Sequence, residues 1–177
     1  MTTTTDTPTT AARRATAYQE AGHVVIAWAL GLEVFDASLF DKVVGDRIGH
    51  TGMFPPAFYD EADRPNMARR HAVAAYAGYY AQVRATGATD PDADILLSVR
   101  DDLTGADAEL RAYAGLAGRR GRASFGTVLA RLTTPMVTAL RAEAAALVQT
   151  HRPVVTTVAE RKLSREALDA LRAVRFL

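Results

Sequence analysis

Apolar residues recur at helical spacing in the first part of the chain, over residues 11–30. The recurring positions include Tyr18, Ala21, Val25, Trp28 and Ala29. The stretch is rich in alanine, contains no proline and is followed by Gly31, a residue type at which helices commonly end. The pattern therefore predicts a helix over residues 11–30. Residues 1–10 are polar and rich in threonine, and we expect them to form a disordered tail.

Two short segments after this helix have the composition of strands. Residues 33–41 carry apolar residues among polar ones, and residues 48–54 form the second segment. Gly45-Asp46 is a turn signal between the two, and a pair of prolines ends the second segment. We therefore expect a β-hairpin or small sheet between residues 33 and 55.

The rest of the chain has helical patterns. A helix is predicted from Pro65 through Gln82 or beyond, and its small residues form a face that another helix could approach closely. The remaining predicted elements are a helix over residues 102–118, a loop at 118–122, two helices within 123–176 separated near Arg152-Pro153, and a shorter helix after Ser164. Together the patterns predict a mainly α fold (α+β) in a single domain, residues 11–177.

The composition is that of one globular domain without cysteine chemistry. A chain of 177 residues with 49% hydrophobic residues is long enough to bury a core. Without cysteine, disulfides and thiolate metal sites are excluded, so any metal would be held by histidine and carboxylate side chains. No apolar run reaches about 18 residues, and the N-terminus lacks the features of a signal peptide. We therefore expect a cytoplasmic protein with no membrane partner.

The formal net charge of +1 conceals an uneven distribution of charge. Residues 1–110 carry 9 Lys and Arg against 16 Asp and Glu, whereas residues 111–177 carry 12 against 4. A basic C-terminal third could meet an acidic partner or nucleic acid. Only Arg119, Arg120 and Arg122 cluster, so packing of the two parts on each other, or self-association, is the simpler interpretation. We expect no nucleic-acid partner and leave a homo-oligomer open.

Residues 19–23 carry the clearest chemical signal in the chain. They read Gln-Glu-Ala-Gly-His, close to the His-Glu-x-x-His motif of zinc peptidases. Positions i and i+4 share one helix face, so two imidazoles there can hold one metal ion, and the glutamate between them can act as a base. Here Glu20 and His23 are present, but Gln19 stands at the first imidazole position. A Glu–His pair alone also fits an ordinary helix surface.

The neighbouring residues resemble the peptidase domain of FtsH-type proteases. The segment AYQEAGHVVIAWALGL at 17–32 is similar to the family's first active-site helix, where Ala-Tyr-His-Glu-Ala-Gly-His is followed by an apolar run and glycine. Further segments resemble the family in the same order. Residues 76–82 resemble its second helix, and Asp102-Leu103-x-x-Ala106 resembles its Asp-Leu-x-x-Ala segment. His151-Arg152 and Leu163 resemble its terminal helices. The resemblance spans about residues 11–172.

This resemblance implies a compact, mostly helical, zincin-like fold with a zinc ion and a peptide or protein as substrate or partner. It implies His23 and Asp102 as metal ligands, Glu20 as the catalytic base and Gln19 as a weak third ligand. FtsH proteins join this domain to membrane helices and an AAA+ ATPase, and the present sequence has neither these nor a GxxxxGK[ST] phosphate loop. A neutral amide is a poor zinc donor, and Gln82 also replaces the family's usual glutamate in the second helix. We therefore expect weak zinc binding.

Other residues offer alternative ligands. His50 in the second predicted strand or His71 in the second long helix could replace the missing imidazole, although packing roles suit both better. Asp101 is an alternative to Asp102, which the Leu-x-x-Ala spacing favours. An EF-hand-like calcium loop starting at Asp90 is rejected, because its sixth position is not glycine and its twelfth is not glutamate.

Three functions are compatible with these patterns. The first is a metal-dependent peptidase with an unusual ligand set. The second is a pseudo-peptidase whose groove binds a peptide or protein without cleaving it. The third is a recruited enzyme that uses Glu20 as a base in non-proteolytic chemistry. Retention of Glu20 favours chemistry, whereas loss of an imidazole favours binding.

Overall fold

The computed structural model describes four helices and a two-stranded antiparallel sheet. In chain order these are α1 (Thr10–Ala29), β1 (Val34–Val44), β2 (Arg47–Met53), α2 (Arg64–Thr86), α3 (Pro135–Thr150) and α4 (Arg152–Glu160). The described residues are 8–44, 47–54, 60, 62–88, 135–161, 163–164, 166 and 168–169. For these residues, the prediction of a mainly helical chain with a small β element after the first helix is confirmed. The predicted helix at 102–118 and loop at 118–122 lie outside them.

Helix α1 is surrounded by the other described elements. Its start is capped by Thr9, whose hydroxyl accepts a hydrogen bond from the Ala12 N–H at 3.1 Å. Every residue over 21–27 is buried, because α1 contacts α2, α4 and both strands. The helix ends just before Gly31, whose φ of +73° is rarely adopted by other residue types. The bounds agree with the predicted ones to within one residue.

Strands β1 and β2 form a hairpin beside α1. Their pairing is regular between residues 36–39 of β1 and 49–52 of β2. Strand β1 runs past its predicted end at residue 41, and its last residue, Val44, pairs with Arg47 across the predicted turn. The two turn residues themselves lie outside the described residues. Both strands contact α1, so the hairpin covers one side of the helix that carries the Gln-Glu-x-x-His segment.

Helix α2 runs antiparallel to α1 and packs closely against it. Near the end of α1, the Arg70 guanidinium donates to the Leu30 carbonyl oxygen at 2.9 Å. Earlier in α1 and later in α2, Gly22 faces Ala77 and Ala81. A β-carbon at position 22 would lie 2.7 Å from Ala81 Cβ and 2.8 Å from the Ala77 carbonyl oxygen. Small residues on both helices therefore permit the close approach that the sequence predicted for α2.

Helices α3 and α4 cover further faces of α2 and α1. Helix α3 packs mainly on α2, where Arg69 and Glu143 form an ion pair, and α4 packs on α1. The break between α3 and α4 falls at His151, which confirms the predicted separation near this position. Beyond α4, the Leu168 N–H donates to the Ser164 carbonyl oxygen at 3.0 Å, as in the short helix predicted there. In the described part of the chain, no helix combines the length and apolar composition needed to cross a membrane.

Candidate metal centre

Helix α1 places Glu20 and His23 one turn apart on adjacent faces. Both side chains are buried, with relative exposures of 5% and 4%. A separation of three residues rotates the side-chain direction by about 60° around the helix axis, so Glu20 turns toward the hairpin and His23 toward α2. Two buried ionisable side chains each need polar partners, and neighbouring elements supply them.

Strand β2 holds the Glu20 carboxylate. The Thr51 hydroxyl donates to Glu20 Oε2 at 2.6 Å, a distance typical of a hydroxyl bound to a carboxylate. Gly49 leaves the space that the side chain occupies, because a β-carbon there would lie 2.9 Å from Glu20 Cγ and 3.0 Å from Oε1. Positions 49 and 51 lie on the same face of the strand, the face toward α1. The hairpin therefore fixes the orientation of the candidate base.

Helix α2 holds the His23 ring. Nδ1 of His23 lies 2.9 Å from the Ala74 carbonyl oxygen, which can only accept, so Nδ1 is the donor of this hydrogen bond. The ring lies over Gly78, where a β-carbon would come within 2.3 Å of Nε2. A ring N–H bonded to a backbone carbonyl is the usual second contact of a metal-binding histidine. The same arrangement also suits a buried histidine with a purely structural role.

The other predicted ligands are Gln19 and Asp102. Gln19 is half-buried and lies one turn before His23 on the same face of α1. Asp102 and its alternative Asp101 lie outside the described residues. Among the residues that the structure describes, no group of three or more histidine or carboxylate side chains is placed to hold a metal ion. A catalytic zinc normally takes three protein ligands, so one imidazole and one amide would need a further donor, and the predicted one, Asp102, lies outside the described residues.

His50 is not aimed at this site. It pairs with Ser38 in the regular part of the hairpin and lies between Gly49 and Thr51 on β2. Because successive side chains of a strand point to opposite faces, the side chain of His50 points away from α1. This geometry argues against His50 as the replacement for the missing imidazole.

His71 occupies a different buried environment. It lies in α2, seven residues before Gly78, which is about 10 Å along the helix axis. Burial lowers the pKa of His71 below its ordinary value of 6.5, and a hydrogen bond with the backbone of Phe54 partly opposes this effect. Its Nε2 atom is buried and has no hydrogen-bond partner among the described residues. The distance along α2 argues against His71 as a ligand beside His23.

The comparisons with known proteins add no relative: no family model matches the sequence, and no curated protein matches it significantly. The resemblance to FtsH-type peptidases therefore rests on the motifs quoted above. The structure adds four residues that sequence reasoning did not connect with the site, namely Gly49, Thr51, Ala74 and Gly78. In the sequence, the only indication of these four residues was the presence of small residues at alternate positions of β2 and along α2.

Proposed function

We propose that this chain is a zincin-like, FtsH-type peptidase domain with a weakened metal site, which hydrolyses peptides poorly or not at all. Positions 19 and 23 carry the proposal. His23 contributes one imidazole, whose Nδ1 is held by the Ala74 carbonyl oxygen, as is usual for a metal-binding histidine. Gln19, one turn away on the same face, offers a neutral amide oxygen, which is a weaker donor for zinc.

Glu20 keeps a defined role under this proposal. A zinc ion bound beside His23 would supply Lewis-acid chemistry. Glu20 would accept a proton at its carboxylate, which the Thr51 hydroxyl orients through the 2.6 Å hydrogen bond. The low exposure of Glu20, 5%, restricts the access of water and substrate to this base and is consistent with slow hydrolysis.

Calorimetric zinc titration tests the proposal. We expect weak binding by the natural chain and binding at least about tenfold tighter by the Gln19→His variant, since even changes around the metal ligands alter affinity by about 10–100-fold. Gln19→Asn keeps an amide and is the matched control, which should stay close to the natural affinity. Tight stoichiometric zinc binding by the natural chain would refute a weakened site. No gain in Gln19→His would show that more than position 19 has changed.

A second candidate function is peptide or protein binding without cleavage, and a cleft beside β1 favours it. The cleft has a volume of about 200 Å³, and its lining combines apolar residues with two aspartates: Trp28, Val34, Phe35, Asp36, Ala37, Leu168 and Asp169. Phe35 is 55% exposed, although it is a large apolar residue. Exposed aromatic side chains at the rim of a cleft commonly anchor a binding partner.

Binding of unstructured casein peptides in the presence of a metal chelator distinguishes the two candidates. If the cleft binds peptides, chelation should leave the affinity unchanged and Phe35→Ser should weaken it. Phe40→Ser, in the same strand but outside the described lining of the cleft, is the matched control. Peptide binding that requires added zinc would contradict the binding-module candidate.

A further inference from the structure

A second cleft, of about 260 Å³, lies between α1, the end of α2, α3 and the start of α4. Three arginines line it, one from each of three helices: Arg14 from α1, Arg84 from α2 and Arg152 from α4. Tyr18 and Thr156 are also among its lining residues. We refer to this site as the arginine cleft. None of the residues predicted to form the metal centre is among its described lining residues.

The charge of the arginine cleft is not neutralised in the described part of the chain. Arg14, Arg84 and Arg152 are exposed, and none of them forms an ion pair with a described carboxylate. No acidic side chain is among the described lining residues. By contrast, Arg13 and Arg69 on the same two long helices each pair with a carboxylate. Three like charges along one concavity raise the local positive potential, which an anion would relieve.

Several hydrogen-bond donors are found among the residues that line the arginine cleft. The guanidinium carbon of Arg14 lies 5.9 Å from the centre of the Tyr18 ring, a cation–π contact that steadies the Arg14 side chain. The Thr156 hydroxyl adds a neutral donor. Arg152 is the first residue of α4, where the helix carries partial positive charge, and this adds to the field of the arginines.

We propose that the arginine cleft binds a small phosphate-bearing molecule. Guanidinium groups from three helices can approach a tetrahedral phosphate from several sides, whereas a planar carboxylate presents only two oxygens. The cleft is smaller than the roughly 300 Å³ at which pockets for drug-sized ligands begin, so the ligand is compact, such as a diphosphate or a small phosphate ester. This proposal does not depend on the proposed function, since it uses no residue of the candidate metal centre.

Isothermal calorimetry with inorganic pyrophosphate at low ionic strength tests the proposal on the full chain. We expect saturable binding, weakened about tenfold by Arg84→Gln and by Arg152→Gln, because each removes charged hydrogen bonds to the ligand. Both side chains are exposed, so both variants should fold, which circular dichroism and thermal unfolding will verify. Arg161→Gln, an exposed arginine of the same charge at the other end of α4, is the matched control and should change the affinity by less than about twofold.

Four outcomes would overturn the proposal. The first is the absence of saturable pyrophosphate binding, and the second is a loss of pyrophosphate affinity in Arg161→Gln equal to that in Arg84→Gln and Arg152→Gln. The third is tighter binding of citrate than of pyrophosphate. The fourth is binding of a single-stranded oligonucleotide without binding of pyrophosphate. Equal weakening would indicate a general response to net charge. Tighter citrate binding would indicate a carboxylate site. Oligonucleotide binding alone would indicate an extended nucleic-acid surface rather than a small-molecule cleft.

Discussion

The ring of His23 lies directly over Gly78, where a β-carbon would come within 2.2 Å of Cε1 and 2.3 Å of Nε2. Only glycine leaves room for the imidazole at this point of the α1–α2 interface. One turn earlier in α2, the Ala74 carbonyl oxygen lies 2.9 Å from Nδ1 and fixes the rotation of the ring. Two successive turns of α2 therefore define the position of the one imidazole in the Gln-Glu-x-x-His segment.

Gly78→Ala should destabilise the protein by about 1–3 kcal/mol, the usual cost of overpacking a tight interior. In an unconstrained helix the same substitution stabilises by about 0.5–1 kcal/mol, so the expected sign is opposite to that of helix propensity. The reason is the overlap of the new β-carbon with the His23 ring. Urea unfolding followed by circular dichroism measures the change in the free energy of unfolding.

The control for this prediction is the same substitution in a His23→Ala background. With the ring removed, Gly78→Ala should become neutral or slightly stabilising, and the coupling between the two positions gives the cost of the overlap. An equal loss of stability in both backgrounds would mean that Gly78 is needed for contacts other than the one with the His23 ring.

Thr51→Val should lower the free energy of unfolding by about 1–3 kcal/mol, because a buried carboxylate loses a hydrogen bond. The lost bond is the one that the Thr51 hydroxyl donates to Glu20 at 2.6 Å. Thr51→Ser keeps the hydroxyl and should retain most of the stability. Thr157→Val removes an exposed hydroxyl bond within α4 and should cost less than about 0.5 kcal/mol. Similar losses in Thr51→Val and Thr51→Ser would assign the effect to packing.

The sequence predicted the local elements well because they depend on local patterns. Apolar spacing before Gly31, the predicted turn between the two strands and the separation of helices near His151 all correspond to observed boundaries. Strand β1 was predicted too short, because the pairing of Val44 with Arg47 is a property of the hairpin and not of either segment alone.

The surroundings of the candidate site could be predicted only in part. Glu20 and His23 were identified from a local motif, whereas their partners come from segments 31 and 51 residues away. Nothing in a local pattern specifies that Thr51 rather than His50 faces α1, since that depends on the register of the hairpin. The convergence of arginines from three helices is likewise a property of tertiary packing.

Stability should decrease below about pH 6.5 in a way that depends on His71. Its pKa in the folded state is lowered from 6.5, chiefly by burial, so the folded state holds this residue neutral. Above pH 6.5 neither state binds a proton there, and the residue adds no pH dependence. As the pH falls below 6.5, the unfolded state takes up the proton first, and stability is lost until the pH passes the folded-state pKa.

The measurement for His71 is the free energy of urea unfolding at a series of pH values for the natural chain and for His71→Leu. The variant lacks the titrating group, so its stability should fall less steeply with decreasing pH. The absolute difference at pH 8 reflects packing and the bond with Phe54 and does not bear on the prediction. A difference between the two proteins that stays constant across the acidic range would contradict it.

Peptidase activity should appear only when an added imidazole and Glu20 are both present. Gln19→His places a second imidazole one turn from His23 on the same face of α1, and its rate of casein cleavage with zinc should exceed that of the natural chain. Adding Glu20→Gln should remove the gained activity by about 10²–10⁴-fold, because an amide cannot accept a proton. The amide oxygen can still accept the hydrogen bond from Thr51, so folding and zinc affinity should be retained, and zinc titration of the same samples is the control. Undiminished cleavage in the double variant would exclude Glu20 as the base, and a parallel loss of zinc would instead assign Glu20 to holding the metal site.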